Sequence, residues 1–128
     1  MIAYIGHIEK QTLENTCFRR VLFTGKHTQL VAMSLAPGED IGDEVHPDVD
    51  QSFRIEQGEA RFVFNEGQEH RVGNGDVVVV PAGTYHNVIN TSKTAPLKLS
   101  TLYSPPNHPA GTVHKTKADA EVAEHATR

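Results

Sequence analysis

Short runs of apolar residues, punctuated by glycine and proline, set the pattern of this chain. From Gln29 to Leu35 the apolar positions alternate, with Val31, Met33 and Leu35 on one face, and Pro37-Gly38 stops the run. Residues 51 to 56 alternate more cleanly. Gln51, Phe53 and Ile55 share one face, while Ser52, Arg54 and Glu56 share the other. Side chains along a strand point to opposite faces in turn, so this is a half-buried strand with one polar residue among its inward positions. Phe18 to Phe23 forms an earlier strand around Arg19 and Arg20, ending at Thr24-Gly25. Ala60 to Phe64 and Glu69 to Val72 read as a hairpin across Asn65-Glu66-Gly67. Val77 to Val80 is a continuous β-branched run, expected where both faces of a strand are covered. Thr84 to Asn90 and Leu97 to Tyr103 complete the set. Short strands at this spacing predict an all-β sandwich or barrel.

The ends of the chain read differently. Residues 1 to 16 show no strong period. Ser104-Pro105-Pro106-Asn107-His108-Pro109 predicts a stiff loop lying outside the sheets through residue 116. Thr116, with Asp119 three positions on, reads as the start of a short helix over Ala118 to Ala126. A helix of that length needs a docking surface, and its Ala and Val122 face is the expected one.

Composition narrows the classes of partner. The 128 residues suit one domain, residues 1–128, and carry 12 basic and 16 acidic side chains for a formal charge of −4. With no basic stripe, a nucleic-acid partner is not expected. No apolar run approaches the roughly 20 residues of a membrane span, so no membrane partner is expected. The N-terminal residues lack the pattern of a signal peptide, and the single Cys17 cannot pair within the chain, so a cytoplasmic setting is expected. Cys17 reads as a small packing residue.

The candidate chemistry lies between residues 38 and 90. Glu44, His46, Gln51 and His86 each carry a lone pair that a metal could accept. Glu44 and His46 stand two apart, so an extended backbone aims both the same way. Gln51 falls on the inward face with Phe53 and Ile55, where an unpaired polar group costs roughly 1–3 kcal/mol. A metal or bound ligand is a candidate partner for it.

The spacing around these residues resembles the two motifs of the cupins. The first motif is Gly, five residues, His-x-His, three or four residues, Glu, six residues, Gly. Here Gly38 is followed after five residues by Glu44-Val45-His46, after four by Gln51 and after six by Gly58. The second is Gly, five residues, Pro-x-Gly, two residues, His, three residues, Asn. Here it is Gly75, then Pro81-Ala82-Gly83, His86 and Asn90 at those intervals. The second motif is met at every position. The first departs twice, with Glu44 where the family usually has His and Gln51 where it usually has Glu. The two changes preserve the ligand charge and move it across the site.

The resemblance implies a small single-domain cupin: a double-stranded β-helix, or jelly roll, with the short C-terminal helix appended. It implies one divalent ion, from Zn, Mn, Fe, Co or Ni, held in the barrel mouth by Glu44, His46, Gln51 and His86. Four protein ligands leave one or two positions open for water or substrate. Within the family this fits dioxygenases, sugar isomerases and decarboxylases or lyases, with Glu44 as the catalytic proton carrier. Alternatives are a module that binds or senses a sugar or carboxylate, and a structural dimer with a relic site. Glu44 is expected to stay ionised while protons compete at the histidines. Asp48 and Asp50 could orient His46, although a solvated loop is the simpler reading. His70 could line the barrel, and His70 and Tyr103 are weak candidates for a second proton carrier. Exposed or capping roles are expected for His108 and His114, and a packing role for Tyr85. A homodimer is expected, formed by sheet packing or strand exchange near the N-terminus.

Overall fold

The computed structural model describes residues 3–126; Met1, Ile2, Thr127 and Arg128 lie outside the described residues. The fold is mostly β, in two antiparallel sheets. The strands are β1 (Arg19–Thr24), β2 (Gln29–Leu35), β3 (Asp50–Gln57), β4 (Ala60–Phe64), β5 (Gln68–Val72), β6 (Val77–Val80), β7 (His86–Asn90), β8 (Leu97–Ser104) and β9 (Val113–His114). One sheet runs β6-β3-β8-β2-β1-β9 and the other β5-β4-β7. Helices α1 (Ile8–Glu14) and α2 (Lys117–Ala126) flank them. This is a jelly-roll barrel, and the hydrophobic core fills the space between its sheets.

The alternating positions face that core as expected. Val31, Met33 and Leu35 of β2 and Phe53 and Ile55 of β3 are buried, as are Phe62 of β4 and Val88 of β7 from the opposite sheet. Phe53 and Phe62 meet edge to face across the gap, with ring centroids 5.1 Å apart. The Phe53–Phe62 contact joins the sheets, and Phe53 also meets the His86 ring edge-on. Gln51 is on the same inward face of β3, buried opposite Tyr103 of β8 and Val80 of β6.

The two motifs are mechanical as well as chemical. Asn90 donates from its side-chain amide to the carbonyls of Leu35, Ala36 and Ala95, pinning the end of β2 beside β7. Gly83 takes φ of +84° in the tight turn that delivers His86, a conformation costly for a residue with a Cβ. At Gly58, φ is +100° and a Cβ would lie 3.3 Å from Leu97 Cδ1.

Several expectations change. Val77 and Val79 are 66% and 65% exposed, so the valine run is not covered on both faces: β6 is an edge strand paired only with β3. Residues 104–116 do not all lie outside the sheets. Val113 and His114 pair with Arg20 and Arg19 as a short added strand, because the constraint from proline ends at Pro109. In α2, Val122 is 69% exposed, whereas Ala120 is buried. The Thr116–Asp119 capping box forms as read, each backbone N–H meeting the other's side-chain oxygen. Lys117 then ties the helix to Asp40 at 2.6 Å. Helix α1 had no visible period because its only buried residue is Thr12. Cys17 is free and buried. Among the described residues, no helix is long and apolar enough to cross a membrane.

The exposed valines make assembly a direct prediction. An apolar edge strand is a template for a second chain unless it is covered. Light scattering should give twice the single-chain mass of 14.1 kDa. Val79→Lys should return the single-chain mass. A single-chain mass for the unmodified protein at micromolar concentration would remove the homodimer.

Candidate metal centre

Two backbone segments build the site. The irregular stretch from Glu39 to His46 runs antiparallel to β7. Glu44 N–H donates to the His86 carbonyl at 2.8 Å, and His86 N–H returns a bond to the Glu44 carbonyl at 2.9 Å. Further along, Ile41 N–H reaches the Val88 carbonyl, and Asn87 accepts from Gly42 N–H while donating to Asp40. The Gly83 N–H to His46 carbonyl bond closes the far end at 2.9 Å. This stitching fixes Glu44 and His46 against His86 without a regular strand.

Ligand atoms of Glu44, His46 and His86 all lie within 4.8 Å of one another. A small inward adjustment of these side chains brings all three onto one ion at the usual bond length of roughly 2.0–2.2 Å to nitrogen or oxygen. Three observations in the side chains suit a cation. His46 Nε2 is buried with no hydrogen-bond partner, 3.6 Å from a Glu44 carboxylate oxygen. His86 Nδ1 lies 3.0 Å from the Thr84 carbonyl and donates to it, leaving a lone pair on Nε2. That lone pair faces Gln51 Oε1 at 3.2 Å, while the Gln51 amide nitrogen is engaged with Thr101 Oγ1 at 3.0 Å. Two acceptors facing each other in a buried site are relieved by a shared positive charge. The donor set of two imidazoles, a carboxylate and an amide oxygen suits a borderline divalent ion.

Burial also resets the titration of these groups. It pushes the Glu44 carboxyl up to about 7, against an opposing pull from the Arg19 guanidinium. The expectation that Glu44 stays ionised through most of the range in which the histidines protonate therefore changes: burial holds its proton to near neutrality in the metal-free protein. Burial lowers His46, helped by His86 and Arg19, and lowers His86 against the opposing Thr84 bond. Both imidazoles are thus held in the neutral form that ligates.

Further buried and half-buried residues surround this group. Arg19 is only 2% exposed, inward on β1 opposite Met33 and His114. The signal was its alternation with buried Val21, which puts both on one face. His108 is folded inward, its Nε2 3.3 Å from the Tyr103 hydroxyl, so it is not a solvent-exposed loop residue. Burial pushes it down to about 3. Tyr103 is buried edge-on to His46, and burial raises its hydroxyl well above the ordinary range. His70 is exposed on β5 against Phe64 and does not line the barrel interior. Tyr85 is 59% exposed and packs no core. Asp50 caps the Ala82 N–H at 2.8 Å, and Asp48 is exposed. A cavity of about 330 Å³ opens beside the ligands, walled by Arg19, Glu44, His46, His108, His114 and α2 residues Ala123 and Glu124.

Residues 31–103, more than half of the chain, match the cupin domain family. The chain belongs to the cupins. It is similar to the uncharacterized YrkC protein of Bacillus subtilis (strain 168), 52% identical over 94% of this chain and 67% of that protein. An uncharacterized protein of Acanthamoeba polyphaga mimivirus is 47% identical over 86% of this chain and 70% of its own length. A crystal structure from Bacillus halodurans superposes with a TM-score of 0.90 at 44% identity, covering 93% of each chain. A Thermotoga maritima structure described as a predicted oxalate decarboxylase has a TM-score of 0.58 at 26% identity, over 63% of this cupin and 69% of that chain.

Proposed function

We propose that this cupin is a metal-dependent enzyme acting on a small molecule, of dioxygenase, sugar isomerase or decarboxylase/lyase type. The observation that carries this is the convergence of Glu44, His46 and His86, with ligand atoms within 4.8 Å of one another and with Glu44 and His46 in the wall of a cavity. Glu44, His46 and His86 would hold the ion, and Gln51 would supply a neutral oxygen beside them. When bound, a divalent ion there supplies a Lewis acid for a carbonyl or carboxylate oxygen. The chain's own residues supply the rest. Glu44, in the cavity wall, is suited to accept and return a proton. Phe53 and Tyr103 exclude water from behind the imidazoles. The described likeness of the Thermotoga maritima protein to a decarboxylase supports the lyase reading. The free, buried Cys17 is consistent with a cytoplasmic setting.

The test is turnover of small carboxylates and sugars by metal-loaded protein. Activity lost on chelation, restored by the ion and abolished in Glu44→Gln supports an enzyme. Saturable binding of the same compounds without turnover would favour the binding or sensing module.

Gln51→Glu tests the fourth position. A carboxylate in place of the amide oxygen should tighten divalent-ion binding about tenfold, because it adds charge where an oxygen already faces the site. Calorimetric titration measures this directly. Weaker binding in the variant would mean that residue 51 does not touch the ion.

A further inference from the structure

The buried arginine beside the metal ligands is left unexplained by metal binding. Arg19 repels a cation, yet it lies 98% buried on the inward face of β1 and walls the same cavity as Glu44 and His46. Its Nε has no hydrogen-bond partner among the described residues. The rest of the guanidinium is held in place: Nη1 lies 3.4 Å from His114 Nδ1, and the group is over the Phe18 ring at 5.3 Å from the centroid. A charge held this deep is retained where it meets an opposite charge.

Its surroundings are also prearranged. Buried Gln29 accepts the backbone N–H groups of Asn107 and His108 and donates to the His108 carbonyl at 2.7 Å. That clamp holds His108 at the cavity wall next to Tyr103. Burial lowers both His108 and His114, so they face the cavity as neutral hydrogen-bonding groups. Glu44 and Glu124 are the carboxylates on this wall. A divalent ion together with Arg19 outweighs their two negative charges, so the loaded cavity favours an anion. Its volume of about 330 Å³ holds a molecule of about ten non-hydrogen atoms.

We propose that Arg19, flanked by His108 and His114, is an anion subsite that takes the carboxylate of a small substrate whose other end meets Glu44, His46 and His86. The planar guanidinium fork matches a carboxylate, and the two wall carboxylates disfavour a more highly charged phosphate. This rests on the metal-enzyme reading of the same cavity and names its substrate class.

The experiment titrates pyruvate, succinate and benzoate calorimetrically into zinc-loaded and metal-free protein, with methyl pyruvate as the uncharged control and inorganic phosphate as the competing anion. Zinc binding is measured first. At least one carboxylate should bind, with affinity about tenfold or more lower in Arg19→Gln and partly recovered in Arg19→Lys. Zinc should still bind in both variants, because Arg19 is no ligand and its loss removes only a nearby charge. Binding that is equal in wild type and Arg19→Gln, methyl pyruvate binding as tightly as pyruvate, phosphate binding in preference to every carboxylate, or no carboxylate binding at all would each overturn the subsite. If Arg19→Gln does not fold by far-ultraviolet circular dichroism, Arg19→Lys and the acid-against-ester comparison decide the question. Failure of zinc to bind, with Arg19-dependent carboxylate binding intact, would remove the metal reading and leave the subsite standing.

Discussion

His86→Ala should reduce divalent-metal affinity by more than about 100-fold while leaving the β architecture in place. His86 is the residue on which the site converges. Its backbone exchanges both hydrogen bonds with Glu44, its Nδ1 is fixed by Thr84, and its Nε2 faces Gln51 at 3.2 Å. Truncation removes the ligating nitrogen and leaves the Glu44–His86 backbone pair intact, so Glu44 and His46 keep their positions with one imidazole fewer. The fold should survive, because the Phe53–Phe62 contact and the aliphatic core do not use the ring's polar atoms. The lost contact with Phe53, at 6.0 Å between centroids, should lower the melting temperature by a few degrees only. Calorimetric zinc titration and thermal melts of the same preparation measure both effects. Wild-type affinity in His86→Ala would take His86 out of the site.

Glu44→Gln should act in opposite directions on the metal-free and metal-loaded protein. In the metal-free fold, burial holds the Glu44 carboxyl up at about 7, above its ordinary 4.5. The unfolded chain therefore carries fewer protons than the fold between those values, and stability falls as pH rises through that window. Above about 7 the full penalty of a buried carboxylate remains. Glutamine removes it, so the metal-free variant should be more stable than wild type at pH 8 by about 1–3 kcal/mol. His46 and His86 act in the reverse sense. Their values are lowered, so their contribution is lost as pH falls below 6.5 through the lowered values. With metal the order inverts. The ionised carboxylate is the ligand form, and wild-type affinity should fall up to tenfold per pH unit below about 7 as Glu44 takes its proton. Glu44→Gln should bind much more weakly at pH 8, and its affinity should stay flat until the imidazoles protonate at lower pH. Urea unfolding with and without zinc at pH 5.5 and pH 8 resolves the four cases. A metal-free variant less stable than wild type at pH 8 would contradict the burial argument.

The architecture was legible because its physics is local. Alternation from Gln29 to Leu35 and from Gln51 to Glu56 assigns inner and outer faces, and the spacings from Gly38 to Gly58 and from Gly75 to Asn90 bring Glu44, His46 and His86 together with Gln51 beside them. What escaped depends on neighbours distant in sequence. Arg19 shares a face with Val21, but that this face lies inward beside the site depends on where β1 sits in the sheet, next to β2 and β9. His108 lies in a Pro-rich loop whose inward fold is set by Gln29, 79 residues earlier. The valine run has an open face because β6 is an edge strand, a property of strand order that composition does not carry. Val122 reads as the natural anchor of α2, yet Ala120 meets the core and Val122 is exposed. The proton held by Glu44 is likewise a consequence of burial that no motif spacing expresses.

The central claim, that Glu44, His46 and His86 together hold one divalent ion, is tested most directly by anomalous diffraction from crystals of the zinc-loaded protein, collected above and below the zinc absorption edge. The account predicts a single strong peak roughly 2.0–2.2 Å from an imidazole nitrogen of His46, an imidazole nitrogen of His86 and a Glu44 carboxylate oxygen. No peak at that position in zinc-saturated crystals, or a peak ligated only by other residues, would contradict it.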